Sequence, residues 1–276
     1  MPEPFRAWAA ILLYAGYFCL KDHHPLFRGM VGAVKYDVVI PYHPKDEEIL
    51  LRCVASLRKY ATAAATIFIV SAAEPPTKVM TQPNVKWIPE SAYPMSIHDV
   101  QSILQSTKGR EGWYYQQFLK LYCFDAIPGL LDKVLLFDSD VVLFEPIEFV
   151  NAADKILLDW GYQYNHPYFE HATALLGDRF RRILRRCSGI TDHIVTTRAI
   201  VTDLLAAIEA QHPGKPAWKT ILELIPDRDR NGAGFSEYEL LFNWTFMYFP
   251  AVARARKLLW KREIAVFHHY LRGSKT

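Results

Sequence analysis

The stretch that most constrains this chain lies between Tyr36 and Ser71. YDVVIP, residues 36–41, is rich in β-branched residues and stops at a proline, as a buried strand does when it hands the chain to a loop. A polar loop follows: Tyr42, His43, Pro44, Lys45 and Asp46. From Glu47 to Tyr60 the apolar residues Ile49, Leu50, Cys53, Val54 and Leu57 recur at three and four, which predicts an amphipathic helix. ATIFIVS, residues 65–71, is the next strand. Strand, helix, strand with short links is a βαβ unit with a right-handed crossover, so its strands are parallel and helices cover the sheet. The fold class is therefore α/β.

Further along, a short third strand is predicted at Val85 to Ile88, then a proline-interrupted loop through Pro94 and a long polar segment to Gly112 that reads as mobile. Helix returns at Trp113 to Phe124. After the turn Pro128-Gly129 comes the most apolar strand, Lys133 to Phe137, which ends on Asp138. The second half is less regular, with a helix in Ala199 to Gln211, a glycine-rich turn at Asn231 to Gly234 and a helix from Glu237. A last strand at Ile264 to Phe267 leads into His268 and His269. At 276 residues the chain sits at the upper edge of what one core organises, and 51% hydrophobic against 22% charged residues excludes a disordered chain. One domain over 1–276 with one active site is expected.

A formal charge of +3 does not imply nucleic acid. The basic cluster Arg179, Arg181, Arg182, Arg185 and Arg186 falls at helical spacing, either a solvated helix face or a surface turned toward phosphate or another polyanion. Cys19, Cys53, Cys123 and Cys187 show no paired spacing, which predicts free thiols and favours a reducing, cytoplasmic setting over a secretory lumen. The apolar run Ala7 to Leu20 is shorter than the ~20 residues a span needs, so it reads as a packed or interfacial segment rather than a membrane anchor.

The chemical signal is VLLFDSDVVLF, residues 134–144, with two carboxylates at i and i+2 where a buried strand ends. Strand alternation puts Asp138 and Asp140 on one side and turns Ser139 the other way. Two adjacent carboxylates at the mouth of an apolar strand repel each other and lose hydration, a cost that a hard cation such as Mg2+ or Mn2+ offsets. In open α/β sheets ligands bind beyond the carboxyl ends of the strands, where this pair lies.

The opening IPYHPKDEEILLRCVASL, the helix GWYYQQFLKLY, the Asp-x-Asp strand and the later FSEYEL together resemble the GT-A glycosyltransferases, and the resemblance covers most of the chain. It implies a three-layer α/β/α sandwich with a mostly parallel central sheet. Residues 36–145 would form a nucleotide-sugar-binding half and 146–276 an acceptor-binding half. It also implies an inverting, metal-dependent transfer of a hexose or pentose from a UDP- or GDP-sugar to a hydroxyl of a glycan or glycoconjugate. Asp140 would coordinate the metal, and Asp138 the metal or the donor ribose. His268 or His269 would complete the shell, and strand alternation allows only one of them to reach the ion. Pro41, Tyr42, His43 and Asp46 would face base and ribose. Gln117 and Lys120 share a helix face and would meet sugar hydroxyls and phosphate.

Ser236 and Glu239 form an S-x-x-E capping box, leaving Glu237 as candidate base, its pKa lowered by the helix start. Asp192 is its rival, and His193 a candidate acceptor contact. The aromatic run Trp160 to Phe169 is suited to stacking on sugar rings or to packing. Two other classes fit the residues. A haloacid-dehalogenase-type phosphohydrolase would use Asp138 as nucleophile, Asp140 as acid/base and Asp227 with Asp229 as its second acidic pair. An inert sugar-binding module on the same frame would need no turnover.

Overall fold

The computed structural model describes residues 33–257, 259 and 263–266. His268, His269 and the run Ala7 to Leu20 lie outside the described residues, as does Phe267. The central sheet has strands β1 (Tyr36–Pro41), β2 (Ala64–Ser71), β3 (Val85–Pro89), β4 (Lys133–Phe137) and β7 (His193–Thr197), in the order β3-β2-β1-β4-β7. β1 pairs parallel with β2 and β4, and β2 with β3, while β7 runs antiparallel to β4. Every residue of β1 is buried, so both faces at the centre of the sheet are covered. The predicted helix is α1 (Glu47–Tyr60), which buries Ile49, Leu50, Cys53, Val54 and Leu57.

Because β1 lies between β2 and β4, the strand order reverses beside β1, and the carboxyl ends of β1 and β4 form the switch point at which open α/β sheets bind ligands. The antiparallel strand β7 then acquires a special position. Its first residue, His193, pairs with Phe137, the last of β4, so the loop entering β7 arrives at the same edge.

The polar segment before Gly112 is not loop throughout. It contains α2 (Ile97–Leu104), which is closed by a capping box: Ser96 Oγ accepts from Asp99 N at 3.3 Å, and Ser96 N donates to Asp99 Oδ2 at 2.8 Å. Asp takes the place of the usual Glu or Gln, and buried Val100 and Leu104 anchor the helix. Next come α3 (Glu111–Leu121), the short strands β5 (Val141–Leu143) and β6 (Ile156–Trp160), and α4 (His166–Leu176). After β7 follow α5 (Arg198–Gln211), α6 (Ala217–Glu223), α7 (Glu237–Tyr248), β8 (Ala253–Lys257) and β9 (Ile264–Val266). β5 pairs with β9, and β6 with β8. The arginine cluster is not a helix face: α4 ends at Leu176, a three-ten turn occupies Gly177–Arg179, and residues 180–187 are irregular. One hydrophobic core runs from Tyr36 to Ile264.

Candidate active site

β4 delivers Asp138 to the switch point, and the chain then turns at once. Val141 N donates to Asp138 O at 3.3 Å, so Asp138 and Asp140 belong to a tight turn between β4 and β5, not to an extended strand. Their common placement therefore comes from the turn rather than from strand alternation. Ser139 between them is buried. Asp138 N donates to Asp192 O at 3.1 Å, which brings the loop before β7 against the motif. Asp192 itself is held at φ 56°, a left-handed conformation that non-glycine residues seldom adopt.

Behind Asp138 stands a closed polar ring. Lys120 of α3 forms ion pairs with Asp138 Oδ1 and, at 2.7 Å, with Glu237 Oε1, and its Nζ donates to the Tyr238 hydroxyl at 2.9 Å. That hydroxyl in turn donates to Asp138 Oδ1 at 3.0 Å. Gln117 joins from the same helix face: its Oε1 accepts from Glu237 N at 3.1 Å and its Nε2 donates to Trp113 O at 3.3 Å. Gln117 and Lys120 are thus buried and committed to protein partners, not presented to phosphate or sugar hydroxyls. Burial works against the Lys120 charge, but Asp138 and Glu237 outweigh it and hold the ammonium well above its ordinary pKa.

Glu237 is the first residue of α7 and is buried. Burial raises its carboxyl despite Lys120, so the lowering expected from the helix start does not prevail. The capping box is half formed. Ser236 Oγ accepts from Glu239 N at 3.3 Å, but the Glu239 carboxylate turns away to accept from Ser188 Oγ at 2.5 Å and Gly189 N at 3.4 Å. Gly189 has no room for a side chain, since a Cβ there would stand 2.4 Å from Phe242 Cβ and 2.8 Å from Tyr238 O. The loop 188–192 is thereby pressed onto α7.

Asp138, Asp192 and Glu237 gather around the Lys120 ammonium with Asp140 nearby, and the crowding of carboxylates registers on Asp192. Its carboxyl is pushed up to about 7, first by burial and then by the negative charges of Asp138 and Asp140. The same two carboxylates, after burial, push the Cys53 thiol up. Among the described residues no group of three or more His, Cys, Asp or Glu side chains is arranged to hold a metal ion. Asp138 and Asp140 nevertheless supply two hard oxygen donors in a site with excess negative charge, the chemistry a divalent cation requires.

His193 does not reach an acceptor surface. It is buried, with Nε2 2.8 Å from Asp159 Oδ2 and Nδ1 2.7 Å from Thr191 O. Asp159 also accepts from Arg256 Nε and Nη2, both at 2.7 Å. Asp159 and Arg256 are register partners on β6 and β8. Burial tends to raise the Asp159 carboxyl, but Arg256 and His193 overcome it and leave it at about 2. The sequence signal for this cluster was a lone acid in the apolar strand ILLDW opposite the alternating ARARK. Tyr238 was missed because nothing local marks it.

In the loop after β1, Pro41 and Tyr42 are buried, Tyr42 within the core, which removes its ring from nucleotide stacking. His43 is exposed, with Nδ1 accepting from Lys45 N at 3.3 Å, and Asp46 is half-buried.

The family model described as "Family of unknown function (DUF6492)" matches residues 34–261. No curated protein matches the chain. Similar solved structures include core-mannan synthase A from Aspergillus fumigatus in its Mn/GDP form, at 7% identity and a TM-score of 0.51 over 82% of this chain and 74% of that one. Mouse xyloside xylosyltransferase 1, apo form, aligns at 11% identity with a TM-score of 0.44, over 87% of this chain and 90% of that chain. The galactosyltransferase LgtC, in complex with donor and acceptor sugar analogs, aligns at 13% identity with a TM-score of 0.39, over 68% of this chain and 70% of that chain. The likeness to the Aspergillus enzyme carries the fold, that of the GT-A glycosyltransferases.

Proposed function

We propose that this chain, which belongs to the DUF6492 family, is a glycosyltransferase that moves a sugar from a nucleotide-diphosphate donor to a hydroxyl of a glycan or glycoconjugate. The observation that carries this reading is the gathering of Asp138, Asp140, Asp192 and Glu237 with Lys120 at the switch point of the sheet. Such a site attracts a divalent cation, and a divalent cation supplies neutralisation of the pyrophosphate as the glycosidic bond breaks. Mn2+ or Mg2+ would be held by Asp140 and by Asp138, whose Oδ1 already serves Lys120 and Tyr238. His268 or His269 remains the candidate third ligand. That core-mannan synthase A was solved with manganese and GDP agrees with this choice.

Lys120, ion-paired to Asp138 and Glu237, fixes Asp138 from behind and limits repulsion within the cluster. Glu237, buried against Lys120, suits positioning better than proton transfer. Asp192 is less enclosed than Glu237 and its loop is bonded to the Asp138 turn, a placement that suits a group taking a proton from an acceptor hydroxyl, as inversion requires. His43 and Asp46 are the remaining candidates for the nucleoside. The phosphohydrolase reading has less support: Asp227 and Asp229 lie in a single helical turn, Asp227–Arg230, away from any strand end, and Asp227 pairs with Arg230 at 3.1 Å.

The test is thermal unfolding and calorimetry with a panel of nucleotide diphosphates and nucleotide sugars, with and without Mn2+, on wild type and Asp140→Ala. Metal-dependent binding of one nucleotide sugar is expected, weakened at least about tenfold in the variant. Absence of nucleotide binding under every metal condition would sink the proposal.

A further inference from the structure

The irregular stretch 177–187 holds five arginines and one carboxylate, Asp178, a local charge of +4 in a chain whose total is +3. The remainder of the protein is therefore slightly acidic, and its excess positive charge is concentrated on one loop. Arg179, Arg181, Arg185 and Arg186 are exposed, and among the described residues none of them pairs with an acid. Unpaired guanidiniums at this density repel one another unless an anion joins them.

Aromatic rings flank the same loop. Tyr162 and Tyr164 are 68% and 55% exposed, well beyond what a packing role requires. The Arg182 guanidinium lies 4.6 Å from the Tyr164 ring centre and 4.9 Å from that of Phe169, and it donates to Cys187 O at 3.0 Å. One half-buried arginine thus ties the tyrosine run to the arginine loop. Exposed tyrosine rings beside cationic forks match a polymer that offers both sugar faces and anionic groups.

The loop is tied to the candidate active site through internal hydrogen bonds. Gly161 and Ser188 exchange backbone hydrogen bonds of 2.9 and 3.0 Å, and Ser188 Oγ donates to Glu239, two residues along α7 from Glu237. From Ser188 the chain runs directly into Asp192. On the other side the tyrosine run enters α4, where Tyr168 lies within the field of Glu237 and Asn165 Nδ2 donates to Ala233 O at 2.9 Å.

Resting on the transferase reading, we propose that the acceptor is an anionic saccharide, bearing carboxylate or phosphate groups, that lies along Tyr162 and Tyr164 with its charges on Arg181, Arg185 and Arg186. Calorimetry on the full chain would compare an oligosaccharide of uronic acids, its carboxyl-reduced neutral counterpart, a polyphosphate that has no rings, and vesicles of anionic phospholipid. The uronate is expected to bind about tenfold or more tighter than the reduced oligomer and to weaken with added salt. Combined Arg181→Gln, Arg185→Gln and Arg186→Gln should cost it about tenfold. Tyr162→Ala should weaken the uronate a few-fold and leave polyphosphate unchanged.

Equal affinity for charged and reduced oligomers would overturn the proposal. So would polyphosphate binding as tightly as uronate with Tyr162→Ala silent, or vesicle binding lost in the arginine variant with no saccharide binding. Nucleotide-sugar binding, read in the same samples, separates the two levels. Uronate preference without donor binding removes the transferase reading and keeps the anionic-saccharide surface. Donor binding without uronate preference does the reverse.

Discussion

Two charged clusters meet at the peptide between Asp192 and His193, and they are built on opposite terms. On the Asp192 side Asp138, Asp192 and Glu237 share the Lys120 ammonium beside Asp140, and Asp192 is pushed up to about 7. On the His193 side one carboxylate receives a guanidinium and an imidazole, and Asp159 is held at about 2. Asp138 of the first cluster keeps 19% of its side chain exposed, whereas Asp159 of the second is fully buried. A balanced, fully bonded cluster serves as a strut, whereas an unbalanced one at a strand mouth holds capacity for an added cation. Adjacent residues in sequence thus belong to different functions, and their burial and partners separate them where their identities do not.

The sharpest way to break this contrast is to unbalance the strut. Asp159→Ala leaves Arg256 and His193 without their shared acceptor and is expected to lower stability by about 3–5 kcal/mol in urea unfolding. The loss should be greatest at neutral pH. Asp159, depressed below its ordinary 3.8, contributes stability that is present above about 4 and disappears as pH falls toward 2, so wild type and variant should converge in acid. A cost below about 1 kcal/mol would mean that the cluster is not a strut.

A second perturbation reshapes the shared loop without touching charge. Gly189→Ala forces a methyl against Phe242 Cβ and the Tyr238 carbonyl, and about 1–3 kcal/mol of destabilisation is expected. Because the loop carries Asp192, metal-dependent nucleotide binding should weaken more than the stability loss alone predicts. Binding that follows stability would show that the loop's position is irrelevant to the mouth.

Much of the frame was legible because its signals are local. β4 begins and ends where its apolar run does, α1 follows its three-four spacing, and α7 starts at the residue after its Ser236 cap. The Asp-x-Asp motif is legible for the same reason, though as a strand end and not as the turn it forms. What escaped depends on partners remote in sequence. Gln117 and Lys120 were assigned to one helix face, yet Lys120's partner Glu237 lies 117 residues later, so a buried ion pair read as a ligand contact. His193 is a candidate acceptor contact in the sequence because its strand has no local signal there: β7 pairs antiparallel with β4 in a sheet whose other pairs are parallel. The arginine cluster matched helical spacing, but Gly177 at φ 54° closes α4 before it, and no local signal forms a new helix.

The smallest expected effect is also the most discriminating, because its sign depends on pH. Asp192 is raised above its ordinary 3.8 to about 7, so it favours the folded state fully only below about 4, and that contribution is lost as pH rises through 7. Asp192→Asn removes the ionised carboxyl from the field of Asp138 and Asp140. In chelator-treated protein the variant should match wild type near pH 4 and exceed it by about 1 kcal/mol near pH 8. Bound Mn2+ neutralises that field, so saturating metal should shrink the advantage to the part that burial contributes while leaving the acid behaviour of Asp159 untouched. A variant advantage unchanged by metal would place the cation away from Asp138 and Asp140. No advantage at any pH would mean that the negative charge at the mouth is already compensated, and the two clusters would no longer differ in kind.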